Sequence, residues 1–139
     1  MKIYYWAPFL SKIATISAVI KSIKSIQIYS KKKIDISIID SVGEWNDIKE
    51  KTEGINLIKL YNKPFSNKLF RGGFIKSRIS QLFIFFFSFK KLLILLKSQK
   101  PDFIIAHLII SLPLLINMFL SNETKLIIRI SGLPKLNFF

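Results

Sequence analysis

Polar side chains follow two apolar runs in the last third of the chain. His107, the chain's single histidine, follows Phe103–Ala106, while Ser131 and Gly132 follow Leu126–Ile130. Short apolar runs bounded by turn residues are typical of buried parallel strands, and ligands bind at the carboxyl ends of such strands. An imidazole or a hydroxyl group there can form a hydrogen bond with a hydroxyl group of a bound ligand. The alternatives are a histidine satisfied by a backbone carbonyl and ordinary turn chemistry.

Two other segments suggest sites for an anion. Ser11 and Lys12 stand at the predicted amino end of the first long helix, where free amides favour a phosphate or a sugar hydroxyl. Arg71, Gly72 and Gly73 precede the second long helix, with further cations nearby, so a phosphate would fit there as well. The alternatives are an N-cap serine, a flexible hinge and solvated charges.

Five acidic residues lie close together in the sequence: Asp40, Glu44, Asp47, Glu50 and Glu53. Such a group suggests an acid/base pair or a metal site, but its spacing matches no ligand loop. We therefore expect a solvated acidic face and no metal site.

The elements that must position these residues follow from the apolar pattern. Period-two or continuous apolar runs predict five strands: Ile3–Trp6, Ile34–Ile39, Ile55–Leu60, Phe103–Ala106 and Leu126–Ile130. Helices are predicted from Lys12 onward, from Glu44 to Thr52, from Phe74 to Ser98 and over Leu112–Leu120. This order predicts one α/β domain over residues 1–139 with a doubly wound parallel sheet.

Composition narrows the function. The absence of cysteine excludes disulfides and thiolate chemistry, and a single histidine excludes a histidine-rich metal site. The net charge of +14 suggests nucleic acid, anionic lipid or phosphorylated ligands, although an AT-rich genome also produces such a chain. We predict no signal peptide, because Pro8 breaks the first apolar run and no small-residue cleavage site follows. We also predict no clean transmembrane helix, because Lys90 and Lys91 interrupt the most apolar stretch.

The Phe-rich stretch Leu82–Phe87 is apolar all round. A helix of this kind is either buried or in contact with a membrane. Part of it must cover the sheet, and its lysines could reach lipid headgroups if it lies in the membrane interface.

Three segments together resemble a known family. They are Tyr4–Phe9, the Lys-Pro-Asp-apolar-His pattern of Lys100–His107, and the strand-Ser-Gly pattern of Ile127–Gly132. They resemble the N-terminal domain of GT-B glycosyltransferases, most closely the retaining family 4 enzymes that build bacterial surface polysaccharides. The resemblance covers essentially the whole chain but only half of such an enzyme.

The resemblance implies a Rossmann-like domain that receives a lipid-linked or saccharide acceptor. His107, Arg129, Ser131 and Gly132 are then candidate acceptor-binding residues. The nucleotide-sugar donor would bind a C-terminal domain that carries a Glu-x7-Glu pair, a spacing that no acidic residues have here. No cofactor is expected beyond this donor, and the chain alone is expected to be inactive. We expect it to be part of a longer protein, cytoplasmic and peripheral on the inner face of the cell membrane.

The chain departs from the family pattern at two positions. Many relatives have Gly-Gly after the first strand, where this chain has Ala7–Lys12 without glycine. Many also have a histidine where Ser131 stands. Two other functions therefore stay open: a non-enzymatic basic binding module for nucleic acid or anionic membrane, and a truncated remnant. Nucleic acid is disfavoured, because the aromatic residues do not alternate with basic residues on a strand.

Overall fold

Within its described residues the chain forms a parallel sheet with helices on both faces. The computed structural model describes residues 1–9, 14–46, 48, 52–108, 112–120 and 123–130. The helices and strands are β1 (Lys2–Trp6), α1 (Ala14–Tyr29), β2 (Asp35–Asp40), β3 (Asn56–Lys59), α2 (Phe74–Gln99), β4 (Phe103–Leu108) and β5 (Lys125–Ile130), with 3₁₀ turns at Ser66–Lys68 and Leu112–Met118. The α/β class predicted from the sequence is confirmed.

The strand order is β3-β2-β1-β4-β5, and every neighbouring pair is parallel. The chain adds β2 and β3 on one side of β1, then crosses back to add β4 and β5 on the other side. The carboxyl ends of all five strands therefore meet at one edge, and the order reverses between β1 and β4.

Each face of the sheet has its own apolar core. Ile3 and Tyr5 of β1 pack with the buried side of α1, including Val19 and Ile23. On the opposite face, Tyr4 and Trp6 pack with α2 residues such as Phe85, Leu92 and Leu96. The alternation follows from the two-residue period of a strand.

Helix α2 is bounded by residues that stop helices. Gly73 precedes it with φ of 75°, and Lys100 ends it in the left-handed region at φ of 42°, donating its N–H to Leu96 O at 2.9 Å. Pro101 follows immediately and cannot continue the helical hydrogen bonds. These signals explain why the predicted bounds of α2 agree closely with the structure.

The long apolar part of α2 also meets the length and composition of a membrane span. Ile75–Gln99 has 25 residues, and its most apolar window of 18 residues has a mean hydropathy of 1.9 and is 39% buried. The sequence predicted no clean span, because Lys90 and Lys91 lie within this stretch. Length and composition do not separate a spanning helix from one that covers a sheet, and α2 packs against β1 and β4.

Two predicted helices need comment. The apolar segment predicted as helical over Leu112–Leu120 forms a 3₁₀ helix at Leu112–Met118. Its seven residues provide about two turns, and Pro113 lacks the N–H that a longer α-helix would need. The helix predicted from Glu44 to Thr52 lies partly outside the described residues.

We expect Gly43→Ala to destabilise the fold. Gly43 has φ of 94°, and a Cβ there would overlap the Cβ of Pro64. Gly54→Ala is the matched control, because Gly54 also has a positive φ of 77° but an added Cβ there would have no atom within 4 Å. Urea unfolding should give a loss of about 1 kcal/mol at Gly54 and about 3 kcal/mol at Gly43. Equal losses would contradict the close packing against Pro64.

Candidate functional site

His107 and Arg129 lie side by side at the carboxyl edge of the sheet. The β4–β5 register pairs them directly. Because Phe103 and Ile105 contact the core on the α1 face, the two-residue period places His107 on the same face. Arg129 reaches this helix as well, where its Nη1 donates to Ala18 O at 3.4 Å.

His107 is a buried polar group with an unused hydrogen-bonding atom. Its side chain is 6% exposed, and its Nε2 has no hydrogen-bond partner in the described part of the chain. Burial, and then the positive charge of Arg129, lower the pKa of His107 to about 4. The imidazole is therefore neutral near pH 7, with one nitrogen able to donate and the other able to accept.

Four other predicted site residues cannot be added to this geometry. Ser11, Lys12, Ser131 and Gly132 lie outside the described residues. Of the four residues predicted to bind the acceptor, the structure therefore describes two, His107 and Arg129, which lie side by side.

Arg71, Gly72 and Gly73 are brought together in a different place. With Phe70, Ile75 and Lys76 they line a cavity of about 570 Å³ at the beginning of α2. Arg71 is held by a hydrogen bond from its Nη2 to Asn67 Oδ1 at 2.7 Å. Gly73 offers no side chain to cap the helix. This cavity is lined by neither His107 nor Arg129, so the structure does not bring the two predicted groups into one cavity.

An apolar cavity that sequence reasoning missed adjoins this one. It has a volume of about 410 Å³ and is lined by Tyr61, Phe65, Lys68, Leu69, Phe70, Phe83 and Phe87. The only signal in the sequence was the frequency of aromatic residues in the loop before α2. That loop has no helical or strand period, so its aromatic residues could not be assigned to a common face.

The acidic cluster is not the solvated face that the sequence predicted, at least at Asp40 and Glu44. Asp40 is 1% exposed and Glu44 is 5% exposed. Glu44 accepts the N–H groups of Ser41 at 3.1 Å and Val42 at 2.7 Å, and Asp40 accepts that of Gly43 at 2.8 Å. The chain turns sharply after β2, and these carboxyl groups satisfy its buried amides.

The carboxyl pair shares one buried environment. Burial raises the pKa of Glu44 well above its usual range, and a hydrogen bond to Asp40 and the charge of Asp40 raise it further. Beside the pair, the Trp6 indole N–H donates to Ser41 Oγ at 2.8 Å. An aspartate at a strand end before Ser-Val-Gly is a turn pattern that could have signalled this role, because Asp side chains often accept nearby backbone amides. The hydrogen bonds that Asp40 and Glu44 accept from backbone amides indicate a structural function.

Of the other three members of the cluster, the structure describes only Glu53. Glu53 is exposed, while Asp47 and Glu50 lie outside the described residues. Among the described residues, no group of three His, Cys, Asp or Glu could hold a metal ion.

The fold and these groups define an α/β protein with polar residues at the carboxyl edge of a parallel sheet. No family model matches the chain, and no curated protein or solved structure matches it either.

We expect His107 to make stability fall as the pH is lowered. Between pH 6.5 and about 4 the unfolded chain binds a proton that the folded chain excludes, so stability is lost as the pH falls through this window. His107→Phe cannot titrate. The stability of the wild type relative to this variant, measured by urea unfolding, should therefore drop by up to about 3 kcal/mol over the window. Parallel curves would contradict the burial of a neutral imidazole.

Glu44 should act in the opposite direction. Its pKa is raised above the ordinary value of 4.5, so the folded chain retains a proton that the unfolded chain loses as the pH rises. Wild-type stability relative to Glu44→Gln should therefore fall as the pH rises from 4.5 through the raised value. The exposed Glu53→Gln is the control and should show the wild-type profile. A wild type that gains stability relative to Glu44→Gln on raising the pH would contradict the raised pKa of Glu44.

Proposed function

We propose that the chain is the acceptor-binding domain of a GT-B glycosyltransferase of the retaining, hexosyltransferase type. In this proposal it is a Rossmann-like domain that receives a lipid-linked or polysaccharide acceptor. A nucleotide-sugar donor binds a second, C-terminal domain, so the chain alone does not transfer sugar. The observation that carries the proposal is the buried, neutral His107, whose Nε2 lacks a partner among the described residues at the carboxyl edge of the sheet.

The strand order supports a Rossmann-like assignment. The order 3-2-1-4-5 with every pair parallel is the order of the first five strands of the classic dinucleotide-binding fold. In open sheets of this type, ligands bind outside the carboxyl ends of the strands where the order reverses. His107 stands in β4, one of the two strands that flank this reversal.

The chemistry of the pair suits a sugar hydroxyl. A neutral imidazole can accept a hydroxyl proton at one nitrogen or donate from the other. Burial lowers the pKa of the His107 imidazole most, and the Arg129 guanidinium beside it lowers this pKa further and adds fixed donors. Together they would orient an acceptor hydroxyl, while the donor sugar and its leaving diphosphate belong to the partner domain. The segments Tyr4–Phe9 and Lys100–His107 add the family resemblance to this geometry.

The surface suits a position at the inner face of the cell membrane. The net charge is +14, and α2 exposes large apolar residues, among them Phe83 at 45%, Phe86 at 66% and Phe87 at 55%. A cationic protein with an exposed apolar helix face is attracted to anionic lipid headgroups.

The test is a titration of the isotope-labelled 139-residue protein with a panel of soluble mono- and oligosaccharides, followed by amide NMR. At least one saccharide should shift the signals of His107 and Arg129. His107→Phe and Arg129→Gln should each weaken its binding about five- to tenfold, the value of one or two hydrogen bonds. Lys100→Ala, which removes an exposed ion pair with Glu123, should leave binding unchanged.

Two outcomes would overturn the proposal. In the first, no saccharide shifts His107 or Arg129 at millimolar concentration. In the second, these residues respond instead to unspecific single-stranded RNA, with an affinity that falls steeply with salt. The second result would favour a basic nucleic-acid-binding module.

A further inference from the structure

Two cavities adjoin each other at the beginning of α2, and Phe70 belongs to the lining of both. One cavity is lined by Arg71, Gly72, Gly73, Ile75 and Lys76 beside Phe70, and the other is lined mainly by aromatic rings. Their volumes, about 570 Å³ and 410 Å³, fall in the range of small-molecule sites in proteins.

The aromatic cavity has ordered walls. Phe65 packs edge to face against Tyr61 at 5.3 Å and against Phe87 at 5.9 Å between ring centroids, and Phe83 stacks on Phe87 at 6.2 Å. Such pairs are individually favourable and fix the orientation of each ring. The cavity between them is open to solvent and presents fixed apolar ring surface to an apolar group.

Polar contacts on the outer side hold the loop against α2. The Tyr61 hydroxyl donates to Phe87 O at 2.8 Å. Lys91 lies 3.7 Å from the centroid of the Tyr61 ring and donates to Leu60 O at 3.0 Å. Through these contacts the polar groups of the cavity wall pair with other groups of the protein. Mainly ring surface therefore faces the cavity.

The charge around both cavities has one sign. Between residues 54 and 101 the sequence contains ten Lys or Arg and no Asp or Glu. The described linings of the two cavities contain Lys68, Arg71 and Lys76 and no carboxylate. A dianionic head beside an apolar chain is the complement of this arrangement.

We propose that the two cavities form one binding site for a phosphate-bearing membrane lipid. The phosphate lies in the cavity lined by Arg71 and Lys76, the hydrocarbon chain enters the aromatic cavity, and Phe70 packs against the junction of the two. A free phosphate would leave the aromatic cavity empty, and an uncharged lipid would leave the cations without a partner.

This site is separate from the pair of His107 and Arg129. Binding of the lipid does not require the saccharide site. If the proposed function holds, this lipid is the carrier of the sugar acceptor, and that identification alone rests on the proposed function. The arms of the experiment therefore separate the two.

The probe is dodecyl phosphate below its micellar concentration, with affinities measured by isothermal titration calorimetry. Inorganic phosphate supplies the head alone, and octaethylene glycol monododecyl ether supplies the same chain on an uncharged head that is not a sugar. Dodecyl phosphate is expected to bind at least about tenfold more tightly than either, since it alone fills both cavities.

Two pairs of variants locate the site. Phe83→Ala is expected to weaken dodecyl phosphate binding about fivefold or more. Ile94 is an exposed apolar residue of the same helix outside both linings, and Ile94→Ala is expected to leave binding within about twofold. Arg71→Gln with Lys76→Gln is expected to weaken binding about tenfold or more. The double control Lys90→Gln with Lys97→Gln is expected to leave it unchanged. Far-ultraviolet circular dichroism checks that each variant is folded.

Three results would overturn the proposal. The first is an equal loss for Phe83→Ala and Ile94→Ala, which would indicate unspecific adsorption to the helix. The second is equal binding of inorganic phosphate and dodecyl phosphate, which would indicate an anion site only. The third is equal binding of the uncharged dodecyl ether and dodecyl phosphate. His107→Phe is expected to retain lipid binding. Loss of saccharide binding alone in that variant would leave this site standing, while failure of lipid binding with intact saccharide binding would remove only this site.

Discussion

The structure depends on the pairing of β1 on both of its edges and the covering of both of its faces. β1 pairs with β2 on one side and with β4 on the other, and its Tyr4, Tyr5 and Trp6 are at most 3% exposed. Parallel neighbours on both sides require crossover connections. The connection from β1 to β2 and the connection from β3 back to β4 run in opposite directions across the sheet, so right-handed crossovers place α1 and α2 on opposite faces. The reversal of strand order, the two separate cores and the common carboxyl edge all follow from this central strand.

The carboxyl edge must then satisfy the polar atoms that end there, and it does so unequally. Beside β2, Glu44 and Asp40 accept turn amides and the Trp6 indole donates to Ser41. Two buried atoms at this edge have no partner among the described residues: Asp40 Oδ2 beside β2 and His107 Nε2 beside β4. Asp40 is held by the turn through its other oxygen, which accepts the Gly43 N–H. Because an unmet polar group in a core is costly, both atoms are candidates for contact with a ligand, and of the two groups a neutral imidazole is the one that can donate as well as accept.

The sequence predicted best what depends on local signals. The bounds of α2 followed from Gly72-Gly73 before the helix and Pro101 after it, and β1 followed from a run of β-branched and aromatic residues. The sequence missed what depends on distant contacts. The burial of Glu44 is decided by a turn that packs against the loop around Pro64, whose neighbour Phe65 donates its N–H to Val42 O at 2.9 Å. Likewise, Phe65 and Phe83 share a cavity wall only because the loop folds back on α2.

The two sides of helix α2 lie in different surroundings, one against the sheet and the other exposed. Its inner side must be apolar because it covers β1 and β4, and Ile84, Leu92 and Leu96 satisfy that demand at 3% exposure or less. Its outer side needs no apolar residues for this purpose, yet Phe83, Phe86 and Phe87 are all more than 40% exposed. A large exposed apolar surface is unusual in a monomer and indicates an interaction site. The charged residues near these phenylalanines are cations. A protein partner whose surface carries mixed charge would bury some of these cations without an anion beside them, at considerable cost. A lipid surface that offers hydrocarbon and phosphate together matches both properties of this side of the helix.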